Sequence, residues 1–234
     1  MKGKVVIRRS EERFYEDMGW LKSKFTFSFA NYFDVKFMNF CSLRVINEDV
    51  FEPTLIGFGL HPHKNVEIIS YVISGNLTHE SSMGNEVMTE GTFQVISSGS
   101  GIVHDVINKE KTDAKMLQIW ITSNVLGGSP SCSLYKPDYL EKWALIVSEN
   151  GSLNSIQIRQ NARIYAIESG ALNTILMPSL TFENIWIQVA EGSIEINNIR
   201  LNQGDAIGVY KEDIENFKAI KFNEKSKIIL FDLQ

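Results

Sequence analysis

Short runs of alternating or continuous apolar residues recur along this chain, each bounded by Gly, Asn or Ser. In the first half they are Phe25 to Phe29, Ser42 to Ile46, Glu67 to Ile73, Thr92 to Ile96 and Met116 to Ile121. A period of two buries one face of a strand, whereas runs with the 3.6-residue period of an amphipathic helix are scarce, so the predicted fold class is all-β. One short helix is predicted, Pro137 to Trp143, with its proline early and Glu141-Lys142 exposed. It lies inside residues 123–151, a stretch broken by Gly127-Gly128-Ser129-Pro130 that reads as a connecting segment. Strands then resume at Ser155 to Ile158, Ile164 to Glu168, Ile185 to Val189, Ser193 to Ile196, Ala206 to Val209 and Lys227 to Phe231.

The two halves repeat one pattern. Glu67 to Ile73 runs into Ser74-Gly75-Asn76-Leu77, and Glu90-Gly91-Thr92-Phe93 follows; Asn184 to Ala190 runs into Glu191-Gly192-Ser193-Ile194, and Gln203-Gly204-Asp205-Ala206 follows. Each copy is a strand, a glycine turn, a strand and a second glycine turn, as expected where antiparallel strands need a positive φ between them. This predicts a duplicated β-barrel: residues 1–122 as an N-terminal barrel, 123–151 as the connection with its short helix, and 152–234 as a C-terminal barrel.

Charge and composition narrow the function classes. With 234 residues, a net charge of −5 and no basic run longer than Arg8-Arg9, the chain has no footprint for nucleic acid or an anionic membrane surface. Met1-Lys2-Gly3-Lys4 followed by Val5-Val6-Ile7 is too short an apolar stretch for a secretory signal, and no stretch is long enough to span a bilayer. A soluble, cytoplasmic protein is expected. Cys41 and Cys132 are far apart and form no Cys-x-x-Cys pair, which reads as two reduced thiols.

The chemistry is concentrated in the four histidines, His61, His63, His79 and His104, all of them in the first half. If residues 61–67 are one strand, His61, His63 and Glu67 share a face, and neutral imidazoles with a carboxylate form a cradle for a divalent metal. No histidine lies outside the cluster to serve a Ser or Cys nucleophile. The Ser97 to Gly101 run lacks the Lys and the following helix of a phosphate loop and reads as a hairpin rim; His79 is expected at the surface or in a hydrogen bond, and Phe25, Phe27, Phe29, Trp120 and Trp186 in the core.

His61-x-His63-x-x-x-Glu67 leading to Gly75, followed by Gly101-x-x-His104-x-x-x-Asn108, has the spacing of the two cupin signature motifs, with one extra residue before Gly75. More narrowly, Gly57-Phe-Gly-Leu-His-Pro-His63, Gly75-Asn-Leu-Thr-His79, Met83-Gly84-Asn85, Ser98-Gly-Ser-Gly-Ile-Val-His104, Leu117-Gln-Ile-Trp120 and the upstream Phe25 to Asp34 resemble the pirin family. The resemblance is dense over residues 8–122 and architectural beyond them. It implies two tandem cupin barrels of the double-stranded β-helix, or jelly-roll, type, the first carrying one metal ion, iron(II) by preference. It also implies, for some bacterial members, oxidation of the flavonol quercetin.

Carried over, the family's metal ligands are His61, His63 and His104, but the fourth position, a glutamate in the family, is Val106 here. Asp105 points away from the inward face of a regular strand, so Glu67 is the expected substitute: fourth ligand, or a carboxylate orienting a ligand imidazole, and the one nearby catalytic base. Loss of the family's glutamate implies weaker metal retention. The expected function is a quercetin 2,3-dioxygenase-like oxidoreductase acting on a small flavonol-like aromatic. The alternatives are a metal-binding or metal-free regulatory protein that acts through a protein partner, in which the histidines are core residues of a barrel that has lost its metal, and a cupin isomerase for a small sugar. The sequence sets no oligomeric state.

Overall fold

The computed structural model describes residues 5–234, and the reading of residues 1–4 lies outside it. Among the described residues there is no α-helix. The chain divides into two compact units, one of residues 14–137 with 158–160, the other of residues up to Arg13 with 138–157 and 161–234.

Each unit contains a seven-stranded and a four-stranded sheet, so the duplication seen in the sequence is present in the topology. In the first unit the large sheet runs Ser131–Tyr135, Phe93–Ser97, Val66–Ser74, Ala114–Thr122, Leu43–Phe51, Leu21–Phe25, Phe14–Asp17, and the small one His61–His63, Ile102–Ile107, Asn76–Ser81, Gly84–Thr89. Their inner faces meet in two apolar clusters. Leu21, Phe51, Val72 and Met116 of the large sheet pack with Leu77, Met88 and Val106 of the small one, and Ile68, Ile96 and Trp120 pack with Ile102. This is the two-layer arrangement of a cupin barrel.

The second unit repeats it. Its large sheet contains Asn184–Glu191, Ser226–Leu233 and Ala162–Ser169 at its centre, with Val6–Arg8 at one edge through antiparallel pairing with Ala206–Val209. The sequence included residues 6–8 in the N-terminal barrel without assigning them a strand; backbone pairing joins them to the other unit, which an alternation pattern has no means of showing. Ile185, Ile187 and Val189 pack against Ile194, Leu201, Ile220 and Phe222 of the small sheet.

The glycine turns occupy equivalent places, with φ of +75° at Gly75 and +80° at Gly192, and +77° at Gly91 and +83° at Gly204. A Cβ at Gly75 would also come 2.9 Å from the Asp113 carbonyl and the Ala114 Cα, so both conformation and space require glycine.

The helix expected over 137–143 does not form. Leu140 bridges to Glu168, and Glu141 sits at φ +56° with its carboxylate accepting from the Ser169 hydroxyl, the Gly170 N–H and the Asn173 amide. The Asp138–Lys142 pair forms, but one exposed ion pair is weaker than three hydrogen bonds to a single carboxylate. The first predicted strand is also displaced: pairing covers Leu21–Phe25, and the Ser28 hydroxyl then closes a loop by accepting from the Asp34 N–H and donating to its carbonyl.

Candidate metal centre

His61-Pro62-His63 forms a short edge strand antiparallel to Ile102–Ile107, with His61 opposite His104, Pro62 opposite Val103 and His63 opposite Ile102. An edge tolerates Pro62, which has no N–H to donate. Alternation then sets His61 and His63 on one face, and direct cross-strand pairing adds His104 to it. The three ring centroids are 4.7–4.9 Å apart, and one ligand nitrogen from each falls within 4.8 Å of the others.

Hydrogen bonds on the far side of two rings leave the near nitrogens free. His61 Nδ1 lies 2.7 Å from the Gly59 carbonyl, which can only accept, so Nδ1 carries the proton and Nε2 the lone pair. His104 Nδ1 lies 3.0 Å from His79 Nε2. The Nε2 atoms of His63 and His104 are buried without a partner. Orphaned nitrogens converging in an apolar interior are costly alone and are satisfied by a cation. Burial lowers His63 to about 4, with His61 adding to the shift, and lowers His104 to about 3, with the other three imidazoles adding to it. Both are neutral imidazoles at physiological pH.

Glu67 is not part of this cluster. The expectation of a shared face assumed one continuous strand, but the first strand stops at His63, Asn65 turns at φ +58°, and Val66–Ser74 begins in the other sheet. Its neighbour Ile68 faces the interior, so Glu67 faces the opposite side, where the Ser97 hydroxyl donates to it. Burial raises its carboxyl above the usual range, opposed by Ser97, Ser123 and Arg159. Neither the ligand role nor the base role fits this position.

The family's carboxylate position behaves as the sequence indicates. Val106 is in the apolar core with Leu77 and Met88, while Asp105 accepts from the Val106 N–H and points at Gly57, where a Cβ would come within 2.6 Å of it. Among the described residues no carboxylate comes within the same 4.8 Å of all three imidazoles. Asn108 of the second motif closes a turn: its amide donates to the Phe51 and Thr112 carbonyls and its oxygen accepts from the Glu110 N–H.

Two contacts of the imidazoles were left unspecified by the sequence: the hydrogen bond expected of His79 goes to His104, and Trp120 packs against His63. His79 is fully buried and holds His104, a relation legible only once the register pairs His79 with Val106. Trp120, assigned to the core, stands edge-on to His63 at 4.8 Å and 79°, with Phe29 at 5.3 Å on its other side. Phe58, partly exposed, lies 6.0 Å from His61.

Comparison with known proteins agrees with this geometry. Residues 7–121 match the Pirin family and residues 145–233 the quercetinase C-terminal cupin domain. The chain is 36% identical over 231 residues to a quercetin 2,3-dioxygenase of Escherichia coli, covering 98% of both chains. It is 36% identical over 221 residues to a pirin-like protein of Caulobacter vibrioides, covering 92% of this chain and 94% of that one. The crystal structure of the bacterial pirin YhhW from Escherichia coli in complex with nickel(II) superposes with a TM-score of 0.91 at 33% identity, covering 98% of this chain and 99% of that one. The chain belongs to the pirin family and is built of two cupin-type domains.

Proposed function

We propose that this protein is a metal-dependent dioxygenase of the quercetin 2,3-dioxygenase type, with His61, His63 and His104 holding a divalent ion, iron(II) or nickel(II). The observation that carries the reading is the convergence of three imidazoles, with the Nε2 atoms of His63 and His104 buried without a partner and that of His61 left with its lone pair by the Gly59 carbonyl. An ion there would supply Lewis acidity toward the hydroxyl and carbonyl oxygens of a flavonol and an electron path toward dioxygen.

The chain's own residues supply the rest. Phe58 beside His61 and Trp120 beside His63 offer apolar ring faces to a flat aromatic and keep water from the imidazoles. His79 fixes the ring of His104, and the Gly59 carbonyl fixes that of His61. With Glu67 on the other side of its sheet and no carboxylate in the cluster, the flavonol enters as its anion, its hydroxyl proton already lost to solvent. The rate of quercetin loss therefore follows ionisation of the substrate and not of an enzyme group.

The test is quercetin consumption under oxygen after loading metal-free protein with Fe(II), Mn(II), Ni(II) or Cu(II), with His61→Ala and His104→Ala as controls. Loss of absorbance that needs both metal and imidazoles supports the reading. Metal uptake without turnover favours a second reading, a metal-binding regulatory protein, which draws on the absence of the family's glutamate at Val106.

A further inference from the structure

A second group of ligands lies behind His79. A ring nitrogen of His79, a carboxylate oxygen of Glu86 and Sγ of Cys132 fall within 4.8 Å of one another. His79 and Glu86 are directly opposed on neighbouring strands, and Cys132 reaches them from the edge of the facing sheet. His79 uses Nε2 on His104, and its Nδ1 is fully buried without a partner. The Cys132 thiol donates to Glu86 Oε2 at 3.4 Å, and the Gln94 amide donates to the same oxygen at 3.2 Å. A cavity of about 170 Å³ reaches Glu86 and Cys132 past Ser81, Met83, Gly84 and Asn85, giving an ion a path in and a place for a water ligand.

We propose that His79, Glu86 and Cys132 form a second metal site, suited to zinc(II) or another borderline-soft divalent ion, and that its occupancy competes with the first site through the His79–His104 pair. A nitrogen, a carboxylate oxygen and a sulfur with one open position is a donor set that zinc accepts and hard cations do not. Binding forms three metal–ligand bonds, and the thiol proton goes to solvent.

The competition follows from counting protons. Two neutral imidazoles carry two ring protons, one of which lies between His79 Nε2 and His104 Nδ1. The other sits either on His79 Nδ1, leaving His104 Nε2 free for the first site, or on His104 Nε2, leaving His79 Nδ1 free for the second. Filling both sites requires losing one of the two. This coupling rests on the first site as read above; the second site does not.

Cobalt(II) distinguishes them, because a cobalt–thiolate charge-transfer band reports a sulfur ligand, which the second site has and the first lacks. Titration of the wild-type chain is expected to produce the band. Cys132→Ser abolishes it, Glu86→Gln weakens it, and Cys41→Ser leaves it unchanged. With the first site removed by His61→Ala and His63→Ala, folding being checked by circular dichroism, the band is expected at about tenfold lower free cobalt than in wild type. No band in wild type, or a band that survives Cys132→Ser, overturns the site. Equal cobalt dependence in wild type and the folded double variant overturns the competition while leaving the dioxygenase reading to the quercetin assay.

Discussion

Val106 lies directly opposite His79 in the register between Ile102–Ile107 and Asn76–Ser81, with its side chain in the apolar core where the family pattern has a glutamate. Val106→Glu puts an unpaired carboxylate into that core. Without metal the variant is expected to lose about 3 to 5 kcal/mol, the cost of an uncompensated buried charge. With nickel(II) it recovers, because the carboxylate becomes a ligand, and affinity for the ion rises at least about tenfold. Thermal unfolding with and without metal, with chelator competition for affinity, measures both; unchanged affinity would show that position 106 does not reach the ion.

Glu67→Gln separates the sequence expectation from the structure. A ligand or base at this position would cost metal affinity or turnover. The placement beside Ser97, away from the imidazoles, predicts unchanged metal stoichiometry and affinity and a stability loss of about 1 kcal/mol from one altered buried hydrogen bond. Calorimetric metal titration beside thermal unfolding decides it.

His79→Phe keeps the volume of the ring and removes the hydrogen bond to His104. Loss of a residue that orients a ligand imidazole typically costs 10–100-fold in metal affinity, and that range is expected here for nickel(II). A variant that folds and binds nickel(II) as tightly as wild type would show that packing alone positions His104.

Asp49 gives the clearest pH dependence. It is fully buried, accepts from the Ser23 hydroxyl at 2.6 Å and has its other oxygen without a partner; burial raises its pKa from 3.8 to about 7. The folded state therefore keeps a proton that the unfolded state has released, and the stability Asp49 contributes is lost as pH rises from about 4 through about 7. Asp49→Asn does not titrate. Its melting temperature relative to wild type is expected to increase across that window and level off above it, and a difference that is flat with pH would contradict the raised pKa.

Rate against pH tests the absence of a base in the imidazole cluster. Quercetin loss is expected to rise with pH along the ionisation of the flavonol itself, and to move with a flavonol of different acidity. A profile that stays put when the substrate is changed would point to a titrating enzyme group.

Alternation, glycine turns and two spaced histidine motifs were enough for the all-β class, the duplication and three imidazoles with a shared destination. Those features are local: strand parity settles which face His61 and His63 share, and the turns at Gly75 and Gly192 follow from a backbone that needs positive φ. What the tertiary structure decided was everything that depends on which strands pair. The break at Asn65 took Glu67 out of the cluster, pairing with Ala206–Val209 took the first strand to the other unit, and the carboxylate of Glu141 replaced a helix with a turn. Register across Asn76–Ser81 joined His79 to His104 on one side, and Gly84–Thr89 set Glu86 beside it on the other. These relations join residues distant in sequence, and no periodicity within a single segment encodes them.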